Sequence, residues 1–301
     1  HELWHRVQDD LGIPMASPPN RHLATAEGRI WLQLEWRALR KALMSSDEAQ
    51  RQAIEDALLF RAHRRSLFPE GAKEESALEL NEGLAEYTGV AVALPMRQAR
   101  IERSAESLLK AESKESFTRS FAYASGPAYG LLLDEHTASW RDTARSGLDL
   151  GAMLADALGL TTSLAESDVR VRGRRYDGDA LQAKEMSGES ARKAHIARLR
   201  AQYLEESTLR LPLGNAKVTF DPNTNHPLEN GTVYLAARLS DQWGVLDAPA
   251  GVFISNDWTW ATVPVESDAA SCESGEGWTL QLNDGWQSLQ RDGRWVVAKK
   301  P

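Results

Sequence analysis

The chain has 301 residues, a formal net charge of −8 and 42% hydrophobic residues, which is the composition of a globular protein long enough for about two domains. The modest acidic excess comes without a basic stripe to neutralise phosphates, and this argues against a nucleic-acid partner. No apolar run in the sequence approaches the length of a membrane-spanning helix. Cys272 is the single cysteine, so no disulfide can form within the chain and the redox compartment stays open.

The sequence opens with a short motif typical of helical zinc sites, His1-Glu2-Leu3-Trp4-His5. Residues four apart lie on one face of an α-helix, so His1 and His5 can reach a single metal ion while Glu2 lies beside them. Two neutral imidazoles suit Zn²⁺, and a neighbouring carboxylate suits a general base. The motif therefore predicts the core of a metalloprotease site. The alternative is an amphipathic helix with one hydrogen-bonded and one exposed histidine.

Two long helices are predicted after a loop that is rich in glycine and proline. Apolar residues recur at helical spacing over 25–44, and a second helix is expected from 46 to 67, ending before Pro69. His22 lies in the loop that precedes them. It could line a cleft next to the zinc helix, although a structural role is the commoner fate of a lone histidine.

The next predicted helix carries two glutamates that could serve the metal. Glu82 and Glu86 are one turn apart, so they share a face. One of them could bind the metal while the other accepts a hydrogen bond from a ligand histidine, as outer partners of such sites usually do. A solvated acidic face is the alternative, but the apolar run at 90–94 directs this helix into a core.

At these residues the chain resembles the gluzincin metallopeptidases, and most closely their aminopeptidase-like branch. That group pairs His-Glu-x-x-His with a downstream Asn-Glu-Gly-x-x-x-Tyr helix, which Asn81-Glu82-Gly83 and Tyr87 match. The resemblance implies a zincin-like catalytic domain that hydrolyses peptide bonds. It also implies that Zn²⁺ is held by His1, His5 and Glu82.

Further roles are implied by the same resemblance. Glu2 would be the general base and Glu86 the outer carboxylate. The family also places a tyrosine in a Tyr-x-x-Gly helix start, which Tyr123 and Gly126 match, with Tyr129 as the second choice. A neutral hydroxyl aimed at the carbonyl oxygen stabilises the transition state more than the ground state. The alternative for Tyr123 is a core aromatic.

Two departures from the family are visible. His5 and Glu82 are much farther apart in the sequence than in the family, and the predicted helices between them look like an insertion. In addition, a helix needs residues before its first turn to complete it, so we expect further sequence upstream of His1, including a strand layer. A periplasmic or secreted location is favoured only because many peptidases of this type are exported.

The rest of the helical part is predicted as five further elements. Helices are expected at 96–114, 117–135 and 148–158, the last stopped by Gly159. The weak alternation over 168–176 indicates a strand or an extended loop. A final helix is expected at 191–206.

From about residue 209 the pattern changes to short β-rich runs separated by Gly, Asn, Asp and Pro. Such spacing predicts a small antiparallel sandwich or barrel. The fold class is therefore α+β, with a helical metallopeptidase-like domain at 1–206 and a β accessory domain at 207–301. The predicted runs are 209–213, 216–220, 232–239, 251–254, 258–265, 278–282 and 295–298.

The β part is rich in tryptophan, which leaves a second class of function open. Flat aromatic faces can stack on sugars, whereas large aromatics more often fill a small core. The alternatives to a zinc peptidase are therefore an inactive peptidase-like scaffold and a surface-binding or carbohydrate-binding protein. The tryptophans in question are Trp243, Trp258, Trp260, Trp278, Trp286 and Trp295.

Overall fold

The computed structural model describes residues 1–145, 147–160, 166–266 and 272–300. They form two compact units, His1–Glu189 and Ser190–Pro301. The first is helical and the second is built mainly of strands, so the fold is α+β, as predicted. The division falls inside the helix Gly178–Arg200, earlier than the boundary after residue 206 suggested by the sequence pattern.

Helices make up the first unit, and the last of them continues into the second. A 3₁₀ turn at Arg21–Ala24 precedes α2. A short π-helix at Glu79–Gly83, called the π-turn below, joins α4 to α5, and a second short π-helix at Ala201–Glu205 follows α11. Among the described residues, none of these helices is long and apolar enough to cross a membrane. The helices are α1 Glu2–Val7, α2 Ala26–Leu43, α3 Asp47–Leu67, α4 Pro69–Leu78, α5 Leu84–Ala93, α6 Arg97–Ala111, α7 Ser120–His136, α8 Trp140–Arg145, α9 Leu150–Leu158, α10 Glu166–Gly173 and α11 Gly178–Arg200.

The long helices α2 and α3 form as predicted and pack on each other. Thr25 caps α2, since its hydroxyl accepts a hydrogen bond from the backbone N–H of Gly28 at 3.1 Å. Trp36 on α2 and Phe60 on α3 are fully buried in the shared core. Pro69 ends α3 but also begins α4, because a proline fits the first turn of a helix, where its missing N–H is not needed.

The prediction of a strand or an extended loop at 168–176 is wrong. This segment is helical, in α10 and a 3₁₀ turn at Arg174–Tyr176. Val169 and Tyr176 lie seven residues apart, so they share one helical face, and both are buried in the helical core. Valine and arginine alternate locally, as in a strand, but only the helical conformation buries both Val169 and Tyr176 in the core.

The second unit contains two β-sheets that share one hydrophobic core, in the manner of a sandwich. One sheet has the order β11-β12-β1-β8-β7-β4-β3 and the other β2-β5-β6-β10-β9; neither closes into a barrel among the described residues. The pairing is antiparallel except between β1 and β12, which are parallel. The strands are β1 Thr208–Pro212, β2 Lys217–Thr219, β3 Asn225–Leu228, β4 Gly231–Tyr234, β5 Ala237–Asp241, β6 Gly244–Ala248, β7 Val252–Ser255, β8 Trp260–Pro264, β9 Ser274–Gly275, β10 Trp278–Leu282, β11 Trp286–Arg291 and β12 Arg294–Lys299.

The tryptophans of this unit do not form an exposed row. Trp243, Trp278 and Trp295 are buried in the core, and the indole N–H groups of the first two donate to backbone carbonyls at 2.7 Å. Trp260 is half-buried under the guanidinium of Arg210, which lies 4.2 Å from the ring centroid. Trp258 is exposed. This arrangement counts against a sugar-stacking surface made of these side chains.

Candidate metal centre

Three side chains from distant parts of the helical unit converge on one point. Nε2 of His1 lies 3.2 Å from Nε2 of His5 and 3.3 Å from Oε2 of Glu82, and His5 Nε2 lies 3.7 Å from the same oxygen. His1 precedes the first residue of α1, His5 lies within that helix, and Glu82 comes from the π-turn Glu79–Gly83. These three ligand atoms are close enough to share one metal ion.

The spacing matches what a tetrahedral ion requires. Nitrogen and oxygen ligands bind such an ion at about 2.0–2.2 Å, so any two of them stand about 3.3–3.6 Å apart. The separations of 3.2, 3.3 and 3.7 Å lie around this value. Three of four tetrahedral positions can therefore be supplied by the chain, which leaves one for a water or a substrate atom.

The hydrogen bonds around His5 determine which of its nitrogens carries a proton. Asn81 Nδ2 donates to the carbonyl of Ala16 at 2.7 Å, so Asn81 Oδ1 is free to accept, and Gln8 Nε2 donates to it at 2.8 Å. The remaining Gln8 oxygen then accepts from His5 Nδ1 at 2.9 Å. Because each step has only one consistent direction, Nδ1 of His5 is protonated and Nε2 presents a lone pair when the ring is neutral.

The same reasoning applies to His1. Its Nδ1 lies 3.1 Å from Oε2 of Glu86, and a carboxylate can only accept. In the neutral ring, His1 Nε2 therefore also presents a lone pair. With both rings neutral, two imidazole lone pairs and a carboxylate oxygen face one another, and either a proton or a metal ion placed between them relieves the repulsion. Outer partners of this kind are usual for metal-binding histidines.

Electrostatics shows what a bound cation must displace. The hydrogen bond to Glu82, followed by the one to Glu86, raises the pKa of His1 to about 9. Burial pushes the pKa of Glu82 upward, but the hydrogen bond from His1 and the charge of Arg119 outweigh it and lower the pKa to about 2. At neutral pH this cluster therefore holds a proton on His1, and a metal ion bound here would have to displace it.

Helix α7 and Arg119, the residue that precedes it, hold Glu82 from the other side. The hydroxyl of Tyr123 donates to Oε2 of Glu82 at 2.6 Å, and the guanidinium of Arg119, one turn earlier, donates to Oε1. The Tyr123 ring is also stacked on the His1 ring, with centroids 5.4 Å apart and an interplanar angle of 12°. Burial is the main cause that raises the pKa of Tyr123, so its hydroxyl remains protonated at neutral pH.

Glycines allow the helices to approach closely enough for these contacts. A Cβ atom on Gly126 would lie 2.3 Å from the Cα of Gly83, so the π-turn and α7 touch backbone to backbone. A Cβ on Gly89 of α5 would lie 3.2 Å from the backbone nitrogen of His1. Small residues at these crossings therefore determine how far Glu82 and His1 lie from their partners.

Other candidate residues lie differently from the main cluster. Glu2 is the first residue of α1 and its side chain is exposed. Tyr129, the second choice for the oxyanion role, is fully buried and donates to Glu35 at 2.7 Å. His22 does not line a cleft, because its ring is buried against Glu75, with Nε2 2.8 Å from the carboxylate.

Sequence reasoning missed Gln8, Arg119 and the part played by Asn81. Asn81 stands inside the Asn-Glu-Gly motif, and the spacing of Arg119 four residues before Tyr123 offered a weak signal. Gln8 offered none, because its role depends on Asn81, which is far away in the chain.

Comparison with models of known protein families, with curated proteins and with solved structures finds no match to this chain. The likeness to gluzincins therefore depends on the three short motifs.

Proposed function

We propose that the chain is a zinc-dependent peptidase. The observation that carries the proposal is the convergence of His1 Nε2, His5 Nε2 and Glu82 Oε2 within 3.2–3.7 Å of one another. Two imidazoles and one carboxylate are the ligand set of many catalytic zinc sites, which keep the fourth position open. The order of the three motifs along the chain supports peptide bonds as the substrate class.

Zinc at this centre would supply Lewis acidity, which polarises a carbonyl and lets water act as a nucleophile at neutral pH. Glu2 accepts the proton of the attacking water and then donates it to the leaving amine. Its exposure leaves the carboxylate accessible to solvent and substrate.

Tyr123 stabilises the developing negative charge on the carbonyl oxygen by donating its hydroxyl hydrogen bond. It makes that bond to Glu82 in the structure, so it must turn from Glu82 towards the substrate. Arg119 binds the other oxygen of Glu82 and keeps this carboxylate oriented when Tyr123 moves.

The test combines metal analysis with a substitution that preserves the ligands. Three proteins are loaded with zinc and offered a mixed peptide library: the unaltered chain, Glu2→Gln and the surface control Glu48→Gln. The control changes an exposed glutamate in the first turn of α3. We expect one zinc per chain in all three and loss of hydrolysis in Glu2→Gln alone. Absence of zinc binding by the unaltered chain, or undiminished hydrolysis by Glu2→Gln, would refute the proposal.

A further inference from the structure

The helical unit buries a network of charged side chains that the proposed chemistry does not use. Arg61 and Arg64 of α3 bind Glu35 of α2, and they also bind Glu79 and Glu75 respectively. All five residues are buried. Removing such groups from water costs several kcal/mol per ion, and replacing a buried ion pair by apolar residues is often neutral or stabilising. Such a network can instead fix one geometry, since each arginine–carboxylate pair is directional.

Glu79 differs from the other carboxylates of the network because it lies in the π-turn that carries Glu82. Its Oε1 accepts from Arg61 Nη1 at 3.0 Å, and its Oε2 accepts from the second terminal nitrogen, so the pair is bidentate. Bidentate arginine–carboxylate pairs fix direction as well as distance. Arg61 also touches Gly151 of α9, where a Cβ would lie 2.9 Å from its side chain. The guanidinium is thus confined from more than one side.

The π-turn separates the directions of Glu79 and Glu82. In an α-helix, residues three apart point only about 60° away from each other, because each residue turns by about 100°. The wider π-turn rotates each residue by about 80°, so the same two residues diverge by roughly 120°. Glu79 can then face the buried arginines while Glu82 faces His1 and His5. A regular helix in this segment would direct both carboxylates towards the same side.

We propose that Glu79 is a positioning residue for the metal centre, whose bidentate pair with Arg61 holds the π-turn in the register that directs Glu82 at His1 and His5. Glu79 can have this role only if those three residues bind a metal, so the proposal rests on the proposed function. It does not depend on whether the chain cleaves peptides.

Glu75 offers a matched control. It is equally buried and is bound by Arg64 at 2.7 and 2.8 Å, but it lies on α4, one turn before the π-turn. Burial raises the pKa of Glu79, whereas at Glu75 the neighbouring arginines outweigh burial and hold the pKa well below its usual range. Glu75→Gln therefore removes a buried carboxylate of the same network that lies outside the π-turn.

The experiment measures zinc affinity of the full chain, Glu79→Gln and Glu75→Gln by competition with a chromophoric chelator. Thermal unfolding of each variant identifies a temperature at which all are folded. We expect Glu75→Gln to unfold at a lower temperature yet bind zinc within about threefold of the unaltered chain. We expect Glu79→Gln to lose about tenfold or more in affinity, the range found when outer supports of metal ligands are removed.

Equal affinities of the two variants, or unchanged zinc binding by Glu79→Gln, would overturn the role of Glu79 and leave the proposed function standing. Failure of the unaltered chain to bind zinc would instead remove the proposed function itself. If Glu79→Gln does not fold, Glu79→Asp and Glu75→Asp provide the same comparison, because each keeps the charge and shortens the side chain by one methylene. A zinc affinity lowered in both to the same extent would likewise overturn the proposal.

Discussion

The contact between Gly83 and Gly126 gives a direct test of how the candidate metal centre is held. In Gly126→Ala the new methyl group would lie 2.3 Å from the Cα of Gly83 and 2.4 Å from its carbonyl oxygen. Both neighbours are backbone atoms, so no side chain can rotate out of the way. Ordinary contact requires the two helical segments to separate by about 1 Å. The resulting strain in such an overpacked core typically costs about 1–3 kcal/mol.

The same separation acts on the site, because Tyr123 lies one turn before Gly126 on α7. Its 2.6 Å hydrogen bond to Glu82 would lengthen towards about 3.6 Å, beyond a useful hydrogen bond. Losing a hydrogen bond to a charged group costs about 1.5–3 kcal/mol. We therefore expect zinc affinity to fall about tenfold, and the midpoint of unfolding to fall by about 3–10 °C for a unit of this size.

The assay is thermal unfolding together with zinc titration of Gly126→Ala. The control is Gly173→Ala, which alters a helical glycine of the same unit whose added Cβ would meet only Leu34, at an ordinary distance of 3.5 Å. Alanine is favoured over glycine in a helix by about 1 kcal/mol, so the control should be neutral or stabilising. Unchanged unfolding and unchanged zinc affinity in Gly126→Ala would refute the tight backbone contact and the support it gives to Glu82.

Three further outcomes are expected. Because metal must displace the proton that His1 holds with a pKa of about 9, zinc affinity should rise about tenfold per pH unit up to that value and then level off; a flat dependence between pH 6 and 8 would contradict this. Gln8→Leu removes the acceptor for His5 Nδ1 and should weaken zinc binding about 10- to 100-fold, whereas Gln98→Leu on the exposed face of α6 should leave it unchanged. Tyr123→Phe removes the same hydrogen bond to Glu82, so it should weaken zinc binding about tenfold, and at saturating zinc it should also lower kcat about 100-fold. Equal turnover of the zinc-saturated variant and the unaltered chain would exclude the oxyanion role.

The buried ion pairs and the metal centre have one element in common, the π-turn Glu79–Gly83. Its first residue faces Arg61 in the interior, its fourth faces the histidines, and its last residue touches α7. Such turns are rare in helices and occur often at functional sites. An uninterrupted α-helix would direct Glu79 and Glu82 towards the same side. It could not bring Glu79 to Arg61 and Glu82 to the histidines at the same time.

Local patterns were sufficient for much of the helical unit. The apolar spacing of α2 and α3 predicted both helices, and Gly159 ends α9 in the left-handed conformation, with φ of 61°. The pattern also predicted the change to β structure after residue 206. It failed at 168–176, where Val169 and Tyr176 become buried on one helical face. The pattern was likewise silent on β3, β6, β9 and β11.

Residue types and short spacings were readable directly from the chain, because an i, i+4 pair such as His1 and His5 lies on one helical face wherever that helix is placed. The meeting of these histidines with Glu82 is a tertiary property: it depends on the path of α2 to α4 and on the glycine crossing of the π-turn with α7. Gln8 and Arg119 acquire their roles only there, since a hydrogen bond depends on distances of a few ångströms that no separation along the chain encodes.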